Sequence, residues 1–138
     1  MSAVNEHVKE TLKASLRTYY NALKKGDLQT ISALMTKESY QLTLESLGFK
    51  RAFRDDDFKK LLRESAENNT ALKEVERFVG ADLAQEAREH RTEVIRFESK
   101  GSDRITLHYE EDCRPKKLYF SLSSSGWKID YKAGRKKS

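Results

Sequence analysis

Three histidines are the side chains best suited to acid–base or metal chemistry, and the sequence gives none of them a recognisable partner. His108 lies in a segment of alternating apolar and polar residues, which predicts that it shares the polar face of a strand with Glu110. Lys128 and Asp130 are predicted near it across the sheet. Because the spacing provides only one histidine ligand, an exposed face of mixed charge is favoured over a metal or acid–base site. His90, flanked by charged residues, is predicted at the surface by the same reasoning.

A run of aspartates and a single cysteine could also do chemistry, but each has a simpler explanation. Asp55 to Asp57 could bind a divalent cation, yet helix capping and the helix dipole already explain an acidic first turn. Cys113 could act as a nucleophile, but the sequence shows no histidine partner for it, so a free surface thiol is favoured. It is the only cysteine, which excludes an intrachain disulfide. The sequence therefore predicts no catalytic residue, no metal and no cofactor.

The N-terminal part of the chain has the period of amphipathic helices. Apolar residues recur every three or four positions from Val4 to Leu23. Gly26 can adopt the left-handed conformation that ends a helix, and the Asp27 side chain can cap the next one. A tight helical hairpin is therefore predicted, followed by another cap at Thr36.

The middle of the chain is also predicted to be helical. Residues 38–48 fit both strand and helix, and helix is favoured. Gly48 followed by Phe49 is predicted to end that helix with a hydrophobic contact. A further helix is predicted to begin at the aspartate run, and helical spacing continues to Leu83, with a kink or a break at Gly80.

Beyond about residue 90 the apolar period changes to two, which predicts four half-buried strands. The connectors are short enough for hairpins, so the strands should form an antiparallel meander. Helices followed by a sheet indicate an α+β fold. The residues predicted to face inward from these strands are all apolar or aromatic. They are Ile95, Phe97, Ile105, Leu107, Tyr109, Leu118, Phe120, Leu122, Trp127, Ile129 and Tyr131. None of them is a carboxylate or an imidazole.

Length and composition indicate one domain, residues 1–131, followed by a basic flexible tail at 132–138. The chain has 138 residues, of which 37% are hydrophobic and 36% charged. The tail supplies four of the five net positive charges, so the remaining body is close to +1 and nucleic acid is not an expected partner. The chain has no apolar run long enough to span a membrane and no secretory signal, so a cytoplasmic protein is predicted.

Two segments resemble the nuclear-transport-factor-two-like superfamily, which has a cystatin-like α+β cone. They are "YYNALKKGDLQTISALM", residues 19–35, and "GWKIDY", residues 126–131. The resemblance implies helices packed on a curved sheet that forms a cone, whose mouth can hold a small molecule. The helical segment between the two departs from the commonest members, which have an early strand, and is closer to small bacterial members of unassigned function.

Members of that superfamily include isomerases, dehydratases and polyketide cyclases, and also non-catalytic binding and dimerisation modules. Because the inward strand positions lack an acid or a base, a non-catalytic module is favoured here. It would bind a small hydrophobic molecule in an apolar cone pocket, or another protein, with a homodimer expected. The alternative is a small isomerase, dehydratase or cyclase-like enzyme that uses pocket tyrosines and an acid or base from a helix.

Two groups of residues carry these expectations. The ligand pocket is predicted to contain Tyr19, Tyr20, Tyr109, Phe120, Trp127 and Tyr131. The interface on the outer face of the sheet is predicted to contain His108, Glu110, Tyr119 and Lys128.

Overall fold

The computed structural model describes residues 4–134, in which six α-helices precede a four-stranded sheet. This confirms the α+β class, whereas the cone shape stays a prediction. The helices are α1 (Glu6–Lys25), α2 (Leu28–Leu34), α3 (Lys37–Leu47), α4 (Phe49–Arg54), α5 (Asp56–Glu64) and α6 (Asn69–Glu86). The strands are β1 (Thr92–Ser99), β2 (Arg104–Glu111), β3 (Arg114–Ser123) and β4 (Gly126–Ile129), and a 3₁₀ turn follows at Tyr131–Gly134.

The predicted helix boundaries of the first hairpin are confirmed by the backbone. Gly26 ends α1 in the left-handed conformation, with φ of 72°. The carboxylate of Asp27 accepts a hydrogen bond from the amide of Thr30 at 3.2 Å and so caps α2. Thr36 caps α3, and Asp55 caps α5, each through its side-chain oxygen. These local signals fix where the chain turns back on itself.

Two features of the helical layer differ from prediction. Gly48 ends α3 but keeps a helical backbone, with φ of −89°, so the chain enters α4 at once. Phe49 is 66% exposed, so the predicted hydrophobic contact is absent. Helix α6 passes through Gly80 without a break. Gly80 instead allows a close approach to Gly26, since a Cβ atom on Gly26 would be 2.1 Å from the carbonyl oxygen of Gly80.

The four strands form the predicted antiparallel meander, in the order β1-β2-β3-β4. Leu107 in β2 is paired with Phe97 on one side and with Leu118 on the other. A two-residue turn joins β2 to β3, and both its residues, Asp112 and Cys113, have positive φ. Such turns match the twist of a hairpin.

Two of the predicted inward positions are wrong, and a third does not belong to a strand. A β-bulge between Val94 and Arg96 turns Ile95 outward, so that it is 53% exposed and Val94 packs on the core in its place. Leu122 lies near the end of β3 and is 46% exposed. Tyr131 packs against the core as predicted, but from the 3₁₀ turn and not from a strand, because β4 ends at Ile129.

The core lies between the inner face of the sheet and the helices. Its fully buried members include Leu12 and Leu16 of α1, and Leu107 and Phe120 of the sheet. The amide of Thr36, just before α3, donates to the carbonyl of Ile129 in β4 at 3.0 Å, which ties the helices to the last strand. Among residues 4–134, no helix is both long and apolar enough to cross a bilayer.

The predicted basic tail falls partly within the described structure. Lys132 lies in the 3₁₀ turn, and its ammonium group pairs with the carboxylate of Glu38 on α3. The three other basic residues of the predicted tail, at 135–137, lie outside the described residues.

Candidate functional site

A cluster of polar side chains lies where the end of β2 meets the C-terminal half of α1. We call it the His90 cluster and define it as Tyr20, His90, Tyr109, Glu111 and Asp112. Its members come from α1, from the segment between α6 and β1, and from β2 with the turn that follows. The fold therefore brings together groups that are far apart in sequence.

The two tyrosines of the cluster form a hydrogen-bonded pair. The hydroxyl of Tyr20 donates to Oε1 of Glu111 at 2.6 Å and lies 2.8 Å from the hydroxyl of Tyr109. Because the Tyr20 proton is directed at Glu111, Tyr109 is the donor in the second bond. Burial and the hydrogen bond to Glu111 raise the pKa of Tyr20 far above its ordinary value. Tyr20 is therefore a neutral hydrogen-bond donor at any physiological pH.

The second oxygen of Glu111 contacts His90. Oε2 lies 3.1 Å from Nδ1 of His90, and both side chains are mostly buried, with 18% and 17% exposed. An ionised carboxylate only accepts hydrogen bonds, so it places the proton of a neutral His90 on Nδ1. Nε2 is then the ring nitrogen that can accept a proton or a hydrogen bond from another molecule. The ring of Tyr20 lies 5.2 Å from that of His90, which fixes the imidazole plane.

Asp112 joins the cluster through the turn between β2 and β3. Its Oδ1 accepts from the amide of Arg91 at 3.0 Å, and its own amide donates to the Arg91 carbonyl at 2.8 Å. This reciprocal pair holds the turn against the segment that carries His90. Oδ2 of Asp112 then lies 3.9 Å from Nδ1 of His90.

His90 also lines a small cleft. The cleft has a volume of about 190 Å³. Its apolar walls are Leu23 of α1, Leu47 of α3 and Leu83 of α6, and its polar residues beside His90 are Glu86 and Arg88. An apolar hollow with a few polar groups at one end is the usual form of a small-molecule site.

Four of the six predicted pocket residues lie close together in the structure. Tyr19 packs edge-on against Tyr20, with ring centroids 5.2 Å apart. Burial, followed by the proximity of Tyr131 and Tyr109, raises the pKa of Tyr19 far above its ordinary value. All four phenols are therefore neighbours of the His90 cluster or belong to it.

The other two predicted pocket residues lie elsewhere. Phe120 is fully buried in the core, where it is paired across the sheet with Ile105 and Ile129. Trp127 is partly buried and packs against the core from β4. None of the six predicted pocket residues, the four tyrosines included, lines the 190 Å³ cleft.

His108 lies on the outer face of the sheet, as predicted. Its Nε2 is 2.9 Å from Oε1 of Glu98, and Lys100 binds the other oxygen of Glu98 at 2.8 Å. The hydrogen bond from Lys100, with that from His108, lowers the pKa of Glu98 to about 2. The predicted proximity of His108 to Lys128 is wrong, because the register places Lys117 opposite His108.

The remaining predicted interface residues are spread over the outer face. Lys128 is opposite Ser121, and its ammonium group donates to the carbonyl of Ala33 in the last turn of α2 at 2.6 Å. Tyr119 and Glu110 are half-buried. With His108 and the exposed Ile95, they line an open groove of about 710 Å³.

Sequence reasoning missed the two central groups of the cluster. Glu111 follows Tyr109 by two positions, so the alternation of Ile105, Leu107 and Tyr109 already placed it on the inner face. The prediction that this face has no carboxylate is therefore wrong. His90 was predicted at the surface, but its side chain is mostly buried against Glu111 and Tyr20. Its charged neighbours in sequence gave no sign of this.

Comparisons with protein-family models, curated proteins and solved structures found no match to this chain. The resemblance of residues 19–35 and 126–131 to the nuclear-transport-factor-two-like superfamily therefore stays a prediction.

Proposed function

We propose that this chain is a binding domain for a small, mainly apolar molecule that carries one polar or anionic group. The observation that carries the proposal is the cleft beside His90, which is lined by three leucines from three helices together with Arg88 and the imidazole. This site replaces the apolar cone pocket expected from the resemblance, since Phe120 of that pocket is core.

The size of the cleft limits the ligand. A volume of about 190 Å³ equals roughly six water molecules at about 30 Å³ each. The leucine walls favour an apolar body, because burying that surface removes it from water. Arg88 favours an anionic group, and Nε2 of His90 favours a hydrogen-bond donor. A short-chain or aromatic carboxylic acid fits these requirements.

The test uses benzoate as a probe, followed by NMR of the leucine methyl groups. We expect saturable shifts at Leu23, Leu47 and Leu83. Leu47→Phe should fill the cleft and abolish the shifts. Leu42→Phe is the matched control, because Leu42 is also on α3 but is 41% exposed and does not line the cleft. Equal shifts in the two variants, or none in the native protein at millimolar benzoate, would contradict the proposal.

A second candidate is a small isomerase, dehydratase or cyclase-like enzyme. The observation in its favour is the hydrogen-bonded chain from Tyr20 through Glu111 to His90, because it orients an imidazole as a general base beside a cleft. Native mass spectrometry of freshly purified protein separates the two candidates. If the molecule that purifies with the protein is a substrate, the native protein should convert it and only His90→Gln should retain it. If the molecule is a simple ligand, the native protein should retain it unchanged.

Homodimerisation through the outer face of the sheet is a separate proposal. It is supported by the exposure of Ile95 beside Tyr119 in the open groove. Light scattering at tens of micromolar should give twice the chain mass of 16.0 kDa, and Tyr119→Glu should halve it. A monomer at that concentration counts against a dimer.

A further inference from the structure

The ligating atoms of three side chains in the His90 cluster face one another. Nδ1 of His90, Oε2 of Glu111 and Oδ2 of Asp112 all lie within 4.8 Å of one another. The nitrogen is 3.1 Å from the glutamate oxygen and 3.9 Å from the aspartate oxygen. Two ligands at about 2.1 Å from one ion are about 3.0–3.4 Å apart, so these groups need to move by less than about 1 Å to share one.

The other oxygen of each carboxylate is already held by a protein donor. Oε1 of Glu111 accepts from the Tyr20 hydroxyl at 2.6 Å, and Oδ1 of Asp112 accepts from the Arg91 amide at 3.0 Å. Both carboxylates are thus oriented so that the remaining oxygen is on the His90 side. Outer hydrogen bonds of this kind orient the ligands of metal sites and raise affinity.

The charge of the cluster is a separate argument. Among residues 4–134, neither Glu111 nor Asp112 has a lysine or an arginine side chain within ion-pair distance. Within this described part of the chain, the His90 imidazole is thus the only side chain that could offset the two carboxylates, and a divalent cation would neutralise both. On the outer face, in contrast, Glu98 has Lys100 as well as His108.

We propose that His90, Glu111 and Asp112 form a binding site for a divalent transition-metal ion, with Zn²⁺ as the probe. The nitrogen ligand disfavours Ca²⁺ and Mg²⁺, which take oxygen ligands, and suits Zn²⁺, Mn²⁺, Fe²⁺ or Co²⁺. Three protein ligands leave at least one coordination position for water or for another molecule. Coordination through Nδ1 requires the proton of a neutral His90 to move from Nδ1 to Nε2, so a bound ion would turn Nε2 from a hydrogen-bond acceptor into a donor. The metal site itself requires no ligand in the cleft.

The test is isothermal titration of the full chain with ZnCl₂ after treatment with a chelator. We expect one Zn²⁺ per chain with a dissociation constant of tens of micromolar or lower. Asp112→Asn should weaken binding about tenfold or more. Asparagine tolerates positive φ and can still accept from the Arg91 amide, so this variant should keep the fold. His90→Gln should abolish binding.

Two controls locate the ion. His108→Gln removes the other histidine that is paired with a carboxylate, and Cys113→Ser removes the only thiol. Both should bind zinc as the native protein does. Loss of binding in either control, or equal affinity in the Asp112→Asn and native proteins, would overturn the assignment. So would a dissociation constant above about 1 mM in the native protein.

Discussion

At the scale of single residues, the carboxylates near the two histidines of the sheet region have different environments. Glu98 on the outer face pairs with Lys100 and Arg96 and also contacts the His108 imidazole. Glu111 at the inner end of β2 and the exposed Asp112 of the following turn share one imidazole. Tyr20 and Tyr109 cover Glu111 on the inner face, whereas the outer face admits long lysine side chains from solvent.

Glu98 provides a test of the first environment by acid titration. The hydrogen bond from Lys100, followed by that from His108, lowers the pKa of Glu98 to about 2. The contribution of Glu98 to stability is therefore full above about pH 4.3, the ordinary glutamate pKa. It is lost as the pH falls towards 2. We expect ¹³C-carboxyl NMR to show Glu98 still ionised at pH 3. Lys100→Gln should raise the midpoint more than His108→Gln. A midpoint near 4 in the native protein would contradict the structure.

Tyr40 provides a test at alkaline pH. It is buried on α3 and donates to Glu76 of α6, and burial, followed by that hydrogen bond, raises its pKa. Its contribution to stability is therefore full below about pH 10, the ordinary tyrosine pKa, and falls as the pH rises further. Folded Tyr40 should therefore still be protonated at pH 11. The absorbance at that pH should show the same number of ionised tyrosines in the native protein and in the Tyr40→Phe variant.

The matched measurement for Tyr40 is made in denaturant. In denaturant all six tyrosines of the native sequence should ionise, whereas the Tyr40→Phe variant should show one ionised tyrosine fewer. Loss of the buried hydrogen bond should also lower the free energy of unfolding by about 1 kcal/mol in urea. One tyrosinate fewer in the folded variant at pH 11 would show that Tyr40 titrates normally.

At the scale of elements, the contact between Gly26 and Gly80 sets the distance between α1 and α6. Any side chain at Gly26 would overlap the Gly80 backbone. The cleft is lined from both helices, by Leu23 three residues before Gly26 and by Leu83 three residues after Gly80. The two glycines therefore hold the leucine walls in place.

Gly26→Ala tests this contact. It combines positive φ with a contact of 2.1 Å to the Gly80 carbonyl oxygen, so we expect a loss of at least about 2 kcal/mol in the free energy of unfolding. Gly126→Ala is the control, because Gly126 also has positive φ but has no atom within 4 Å of the added Cβ. It should cost less. Equal losses on urea denaturation would mean that the helices can separate at no cost.

The elements also show which parts of the structure could be predicted. The caps at Gly26 and Asp27 depend only on residues close by in the sequence, so the local sequence was sufficient to predict them. The outward turn of Ile95 depends on a bulge, which alternation alone does not reveal. The His90 cluster depends on the pairing of a turn with a segment about twenty residues away, and only the inner position of Glu111 was available from the sequence.

At the scale of the whole molecule, one core serves both layers. Helical residues such as Leu16 and Ile31 and strand residues such as Leu107 and Ile129 belong to the same buried cluster. The bridge between Met35 and Ile129 joins the layers through the backbone as well. Helices and sheet should therefore be stable only together.

Equilibrium unfolding tests this cooperativity with two independent probes. Trp127, the only tryptophan, lies on β4, so its fluorescence reports on the sheet, whereas circular dichroism at 222 nm reports mainly on the helices. We expect the two urea transitions to coincide. An earlier midpoint for fluorescence would show that the sheet opens while the helices remain folded.

The bulge in β1 has a consequence for association between molecules. β1 is paired with β2 on one side, and its other side is the open edge of the sheet. The bulge interrupts the regular row of peptide groups of β1 near Ile95. An extended chain from another molecule could therefore pair with β1 only on one side of the bulge. The same irregularity that exposes one isoleucine thus protects the protein against edge-to-edge polymerisation into fibrils.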